Sequence, residues 1–291
     1  MESRYKYAVF AAGAVAKCLI GKLPSKTGEV GPVAAVSYRV ASRIANTLRA
    51  GYPVRAPDEL DAAAVILFHA PPEQTEILLK LLERAGIHWA GKALVFCDCD
   101  GSPAVRSRFE ALGATTAVAR QFGIPGRIAI SGSGLALATA QRIARALKLK
   151  PVEVLPGAID LFDAAVTLAS PAITPLVDCA ASLLRAAGIR DTDAARIASA
   201  LFQQTAKDYA RSGKQSWAWY IRQPDMEGIE RQIAAAGARA EPVMRQLLRF
   251  AFEFFDKYPD ARAALTAAGA ASKSRSSRPA RPLPLAHPGS P

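Results

Sequence analysis

The chain has 291 residues, of which 51% are hydrophobic and 21% are charged, and its formal net charge is +12 at pH 7. This length allows two domains of ordinary size, and the hydrophobic content excludes a mainly disordered chain. The N-terminus lacks the pattern of a signal peptide and we identify no apolar run of about 18 residues, so we expect a cytoplasmic protein that does not span a membrane.

Part of the positive charge is concentrated near the C-terminus, where Lys273, Arg275, Arg278 and Arg281 occur without any acidic residue. In the rest of the chain, acidic and basic residues are interspersed. A clustered basic surface would release counterions from a nucleic acid, whereas a scattered one produces only a weak field. The distribution argues against specific nucleic-acid binding and makes a DNA-binding or membrane-surface protein the least favoured function.

In chain order, the first half alternates short apolar runs with amphipathic stretches of helical period. The predicted strands YKYAVF, PVAAVS, VILFHA and KALVFCD are each followed by a predicted helix, the first of them in AAGAVAKCLIGKL. Strands in TTAVARQF, RIAIS and PVEVL follow, with a helix in LALATAQRIARALKL before the last. Such alternation predicts parallel crossovers and a Rossmann-type doubly wound α/β sheet.

The alternation ends at Pro156-Gly157, and from Ala158 to about Tyr258 we find only helical periods. Pro171 and Pro175 should divide the first long helix of this region. From Gly269 onward the sequence is rich in Ser, Arg and Pro and too poor in apolar residues to order itself. We therefore predict a Rossmann-type domain at 1–157, an all-helical domain at 158–268 and a disordered basic tail at 269–291.

The four cysteines, Cys18, Cys97, Cys99 and Cys179, form no CxxC pair and no zinc-binding pattern. This spacing predicts neither a disulfide nor a metal site, and we expect buried or half-buried thiols. Cys97 and Cys99 are two residues apart, so within a strand both would point to the same face.

The turn after the first predicted strand is similar to the dinucleotide-binding pattern G-x-G-x-x-G/A. Its six positions are Ala11, Ala12, Gly13, Ala14, Val15 and Ala16. In this pattern the second glycine lets the backbone approach a pyrophosphate at the N-terminus of a helix. Gly13 is retained, but Ala11 replaces the glycine of the tight turn. The motif predicts a nucleotide site at Ala11–Val15, and the alternative is a retained fold that no longer binds.

The end of the second predicted strand indicates which nucleotide fits. An acid there would hold the ribose 2′-hydroxyl of NAD, whereas a 2′-phosphate requires a cation and no acid. The sequence reads Val36-Ser37-Tyr38-Arg39, so Ser37 can donate a hydrogen bond and Arg39 can pair with phosphate. These residues predict NADP, with a helix-start serine and a solvated arginine as the alternative.

His69 ends the next predicted strand, in LFHAPP, where this fold brings its strand ends toward a cofactor. It is a candidate for proton transfer, and the alternative is a structural histidine. Ala70 and Pro71 follow it and are candidate cofactor contacts.

The first helix of the second domain carries polar residues at spacings of three or four, namely Asp160, Asp163, Thr167, Ser170, Thr174 and Asp178. If this face lines an interdomain cleft, Asp163 and Ser170 are candidate catalytic residues that could bind an amine or a hydroxyl group. If it faces solvent, it is an ordinary amphipathic surface.

Four stretches carry a resemblance to a known family: VGPVAAVSYRVASRIANTLRAG, GLALATAQRIARALKLKPVEV, FDAAVTLASPAITPLVDCAASLLRAAGI and SWAWYIRQPDMEGIERQ. They resemble uncharacterised Rossmann-like proteins related to pyrroline-5-carboxylate reductase, with an N-terminal NADP-binding domain and a C-terminal helical domain of unknown function. The resemblance implies NAD(P)-dependent oxidoreductase ancestry, a small-molecule substrate and a homodimer formed by the helical domains. Asp163 and Pro171 stand where those relatives usually carry His and Asn.

Two functions therefore remain open ahead of polyanion binding. The first is an NADP-dependent oxidoreductase of the imino-acid or hydroxy-acid reductase kind, whose substrate the sequence does not identify. The second is a catalytically degenerate nucleotide-binding or scaffold protein with the same fold.

Overall fold

The computed structural model describes residues 5–23, 29–99, 101–217 and 225–255. Contacts divide the chain into two compact units, residues 1–170 and 171–291. The predicted tail at 269–291 lies outside the described residues. The predicted domain boundaries after Gly157 and at residue 268 stay predictions.

The first unit contains a sheet of eight described strands in the order β3-β2-β1-β4-β5-β6-β7-β8. Its strands are β1 Tyr5–Ala11, β2 Val30–Ala34, β3 Tyr52–Pro53, β4 Ala63–His69, β5 Ala93–Cys97, β6 Thr115–Arg120, β7 Arg127–Gly132 and β8 Lys150–Glu153. Neighbouring strands are parallel except for the pair β6 and β7.

Helices connect most of these strands and form the described part of the second unit. Those of the first unit are α1 Tyr38–Leu48, α2 Pro72–Glu83, α3 Pro103–Ala111, α4 Gly134–Ala146 and α5 Ile159–Ala169. Those of the second are α6 Ile173–Ala186, α7 Asp191–Ser212, α8 Met226–Ala235 and α9 Gly237–Phe255. The predicted fold class, a Rossmann-type sheet followed by a helical region, is confirmed.

The expectation of parallel crossovers throughout was wrong at β7, which pairs antiparallel with β6 and places Gly132 opposite Ala117. The two strands are joined by residues 121–126 alone, and a parallel crossover needs a dozen or more residues. The short connection therefore reverses the chain direction.

The core has two layers because alternate residues of each strand point to opposite faces of the sheet. On one face, Val9, Leu67 and Val95 pack against α1 and α4 residues such as Ile44 and Ile143. On the other face, one phenylalanine each from β1, β4 and β5 form a row of contacting rings, Phe10, Phe68 and Phe96. The centroid of the Phe68 ring lies 6.1 Å from that of Phe10 and 5.5 Å from that of Phe96. These layers hold the carboxyl ends of the central strands in place.

The stretch Ile159–Ala186 corrects the expectation that no apolar run is long enough to cross a membrane. It is 28 residues long, and an 18-residue window within it reaches a mean hydropathy of 1.4. In that window 6% of the residues are buried. Length and composition alone are weak evidence of a span. Moreover, α5 ends at Ala169 and Pro171 follows, so the helix is divided at Pro171 as predicted. Pro175 lies in the first turn of α6, where proline is tolerated, and does not divide the helix. A cytoplasmic location stays a prediction.

Candidate functional site

The candidate site lies at the carboxyl edge of the sheet, between β1 and β4. These strands are neighbours in the sheet although β2 and β3 separate them in the sequence, so the strand order reverses here. In doubly wound folds, ligands bind in the crevice at this reversal. A pocket of about 340 Å³ opens there, lined by Ala14, Lys17, Cys18, His69, Asp98, Arg120 and Gln121.

The loop after β1 contacts the loop after β4. The backbone N–H of Ala12 donates to the carbonyl of His69 at 2.9 Å. Gly13 has a φ of +77°, which favours glycine, and a Cβ there would lie 3.5 Å from Cδ of Pro71. Most of the predicted cofactor residues thus lie at the end of β1 and in the adjacent loops after β1 and β4: Ala11, Ala12, Gly13, Ala14, Val15, Ala70 and Pro71.

The helix predicted after β1 does not form. The segment instead contains the short 3-10 turns Val15–Lys17 and Ile20–Lys22. Chain folding is so tight that a Cβ at Gly21 would lie 2.2 Å from the carbonyl oxygen of Val15. The three consecutive residues 18–20 are all buried, whereas three successive residues of an α-helix spread over about 200° around its axis and do not share one face. Within the described residues after β1, the pocket therefore has no long helix N-terminus.

Asp98 holds this folded segment against the end of the sheet. One carboxylate oxygen, Oδ2, accepts from the backbone N–H of Leu19 at 2.8 Å and from Nε2 of Gln121 at 3.0 Å. The other, Oδ1, accepts from the backbone N–H of Gln121 at 2.8 Å. One side chain therefore joins the ends of β5 and β6 to the loop after β1.

Sequence reasoning missed Asp98, Arg120 and Gln121 as pocket residues. The signal was available, because each lies at or near the end of a predicted strand and the carboxyl ends of parallel strands meet at one edge. Lys17 and Cys18 were missed because we placed them inside a helix.

His69 is half-buried at the end of β4, and its Nδ1 lies 2.7 Å from the carbonyl oxygen of Cys97. A peptide carbonyl only accepts hydrogen bonds, so Nδ1 carries the proton. In the neutral imidazole, Nε2 is then an acceptor available to a ligand, and in the imidazolium it is a donor. The structure thus fixes the tautomer of the one predicted catalytic residue that lines the pocket.

The other predicted catalytic residues differ in their relation to the pocket. Asp163 forms an ion pair with Arg120 of the pocket wall. Next to this pair, Phe122 and Phe162 stack edge to face with centroids 5.1 Å apart, which further anchors α5 to the sheet. Ser170 is exposed just after α5 and does not line this pocket.

Ser37 and Arg39 lie together at the start of α1. Ser37 is the N-cap, and its Oγ accepts from the backbone N–H of Val40 at 3.4 Å. Arg39 is exposed in the first turn, and the guanidinium of Arg55 lies 4.8 Å from the ring centroid of Tyr38. The stretch from residue 30 to residue 38 contains no acidic residue. The start of α1 therefore offers the cations of Arg39 and Arg55 and the hydroxyl group of Ser37 without a competing carboxylate.

The cysteines are buried or half-buried thiols as predicted, with Cys18, Cys97 and Cys99 buried and Cys179 half-buried. The expectation that Cys97 and Cys99 share a face was wrong, because they pack in opposite core layers. Asp98, between them, has a φ of +49°, which interrupts the alternation of the strand. Within the described ranges, no group of three or more His, Cys, Asp or Glu side chains is placed to hold a metal ion.

The buried thiols should react slowly in the folded protein. Burial raises the pKa of Cys97 well above its ordinary value, with a further contribution from Cys99, and burial also raises the pKa of Cys18. Because only the thiolate is nucleophilic, iodoacetamide at neutral pH should label Cys179 first, as peptide mapping by mass spectrometry would show. Equally fast labelling of Cys97 would contradict this.

Since the pKa values of Cys18 and Cys97 are higher in the folded than in the unfolded chain, the free energy of unfolding should fall as pH rises above about 9.0.

Comparison with known proteins gives one family match. The model of a domain of unknown function (DUF2520) matches residues 127–250, from the start of β7 into α9. No curated protein sequence matches the chain significantly.

Solved structures with this fold include imine reductases. An imine reductase from Aspergillus terreus, in complex with NADPH4 and dibenz[c,e]azepine, is 16% identical with a TM-score of 0.64, covering 85% of this chain and 95% of that one. A reductive aminase from the same organism, with NADPH and ethyl levulinate, is 15% identical with a TM-score of 0.62, covering 89% and 97%. An imine reductase from Myxococcus stipitatus, with NADP+, is 16% identical with a TM-score of 0.58, covering 92% and 94%. At these identities, the likeness shows a shared fold.

Proposed function

We propose that the chain is an NADP-dependent oxidoreductase that reduces a C=N or C=O group of a small molecule. The observation that carries the proposal is the pocket at the strand-order reversal, where Nε2 of His69 is available beside Lys17 and Arg120. The similar structures hold NADPH or NADP+, and two of them hold an azepine or a keto ester. A specific relation to pyrroline-5-carboxylate reductase remains part of this proposal.

The residues present fit NADP in two regions. The start of α1 offers Ser37 and Arg39 without a competing acid, which suits a 2′-phosphate. The left-handed Gly13 lets the backbone turn beside the pocket. The fit departs from the usual pattern at Ala11, which replaces the first glycine, and where a helix N-terminus would meet the pyrophosphate. At the second place the pocket wall offers the side chains of Lys17 and Arg120.

NADPH, when bound, supplies the hydride. The chain then has to deliver one proton to the nitrogen or oxygen of the reduced bond. His69 suits this step because its imidazolium can donate from Nε2 while Nδ1–H stays bonded to the carbonyl of Cys97. After the transfer the neutral ring keeps the same orientation. Asp163 acts as a positioning residue that fixes Arg120 at the pocket wall.

Replacement of His69 by asparagine tests the proton-transfer role. The asparagine amide can still donate a hydrogen bond but cannot transfer a proton. NADPH consumption with a small cyclic imine should therefore fall about a hundredfold or more in kcat, while NADPH affinity changes little. The matched control is His88→Asn, since His88 is exposed outside the pocket. Equal kcat in wild type and His69→Asn would contradict the role of His69.

A catalytically degenerate nucleotide-binding or scaffold protein is the second candidate. The missing helix after β1 favours it, since Asp98 holds the folded segment where a nucleotide loop would normally begin a helix. This candidate predicts NADPH binding without imine or ketone reduction.

Activity of Ser170→Ala equal to that of wild type would leave Ser170 without a catalytic role.

The helical region should form a homodimer. Large apolar side chains are exposed on the isolated chain: Leu161 at 74% and Leu168 at 71% on α5, at the end of the first unit, and Leu201 at 59% on α7 of the second. Exposed apolar surface marks an interaction site where it forms a contiguous patch. Light scattering of the purified protein should give twice the monomer mass, and a monomer at micromolar concentration would contradict this proposal.

A further inference from the structure

The usual phosphate-binding element of a dinucleotide fold is absent from the described part of the loop after β1. In such folds, a long helix begins after the first strand and its N-terminal N–H groups hold the pyrophosphate. Here the corresponding residues form turns of three residues each, Val15–Lys17 and Ile20–Lys22. So short a turn sums few peptide dipoles. A dinucleotide in this pocket needs another source of positive charge.

Lys17 provides such a charge from the same loop. It is exposed at the last position of the first turn and lines the pocket beside Ala14 and His69. No other residue that the structure describes forms an ion pair with it. Its ammonium group is therefore available to an anion.

Arg120 brings a second cation to the pocket from the end of β6. Asp163 neutralises part of its charge. The guanidinium has five N–H donors in a planar fork, so it can keep Asp163 and still donate to a phosphate oxygen. The pocket thus contains one cation without an ion-pair partner among the described residues, Lys17, and a second, partly neutralised one, Arg120.

Asp98 is the negative group in the pocket wall. Its two oxygens accept three N–H bonds from Leu19 and Gln121, at 2.8, 2.8 and 3.0 Å. These donors offset the carboxylate charge and hold it in place. The pocket can therefore accept an anion on the side of Lys17.

We propose that Lys17, assisted by Arg120, binds the pyrophosphate of NADP(H) directly and replaces the helix N-terminus of ordinary dinucleotide folds. This inference rests on the proposed function, because it assigns the phosphate contacts of that same site. It predicts an anion affinity that falls steeply with salt, as expected for a contact between exposed charges.

The test is calorimetric titration of the full chain with NADPH and, separately, with inorganic pyrophosphate. Lys17→Ala should weaken both affinities about tenfold to a hundredfold, the effect of one charge-assisted contact. The control is Lys22→Ala, which removes the same charge from the same loop. Lys22 donates to Oε1 of Gln121 at 2.6 Å and does not line the pocket. Its replacement should leave both affinities within about twofold.

The outcomes separate this inference from the proposed function. Unchanged NADPH affinity in Lys17→Ala would overturn the role of Lys17 and leave NADP binding intact. Lys17-dependent binding of pyrophosphate without binding of NADPH would support Lys17 as a phosphate ligand and contradict the proposed function. Binding of neither by the wild type would overturn both.

Discussion

Arg39→Ala is expected to remove most of the preference of the protein for NADPH over NADH. Arg39 is exposed in the first turn of α1 beside the N-cap Ser37, and no acid occupies the end of β2. A charge-assisted hydrogen bond contributes about 1.5 to 3 kcal/mol, which corresponds to a preference of about tenfold to a hundredfold. NADH lacks the 2′-phosphate, so its affinity should change little. Parallel titrations with the two cofactors measure both effects.

Arg43→Ala is the matched control for this experiment. It removes the same charge one turn further along α1, where the side chain is also exposed. The wild-type preference should persist in this variant. An equal loss of preference in both variants would indicate a general charge effect, and equal affinity of the wild type for the two cofactors would refute the assignment of Arg39.

Asp98→Ala is expected to cause the largest loss of stability among the pocket variants. The substitution removes the acceptor of the backbone N–H groups of Leu19 and Gln121 and leaves these part-buried donors unpaired. Hydrogen bonds to a charged group contribute about 1.5 to 3 kcal/mol each, so the free energy of unfolding should fall by about 3 kcal/mol. Urea denaturation measures this change. The loop after β1 should also exchange its amide protons faster.

The control for Asp98 is Asp160→Ala, at an exposed position in the first turn of α5. A carboxylate there interacts mainly with the helix dipole, so its loss should cost less than about 1 kcal/mol. Similar losses in both variants would show that Asp98 does not hold the loop in solution.

The sheet could be predicted from the sequence because its strands are continuous apolar runs of buried-strand length. In β4, for example, residues 65–68 are buried, and the run VILFHA predicted this strand within two residues of its start. The direction of β7 could not be obtained from hydrophobicity. It depends on the length of the connection at 121–126, which is too short for a parallel crossover.

The site was predictable only in part. His69, Gly13 and Pro71 could be placed together because the fold fixes where strands end, and the structure brings them to adjacent loops. The segment after β1 misled us because its composition permits a helix. What decides against the helix is long-range: the carboxylate of Asp98 accepts the N–H of Leu19 across 79 positions of sequence. Local periodicity contains no information about such a contact.

The central claim is that this chain binds NADPH in the pocket where the strand order reverses. Calorimetric titration of the unmodified full chain with NADPH, with thermal unfolding of the same samples, tests it most directly. We predict one site per chain with a dissociation constant in the micromolar range or below, and a melting temperature that rises with NADPH because the cofactor binds only the folded state. No binding heat and no change in melting temperature at millimolar NADPH would contradict the account.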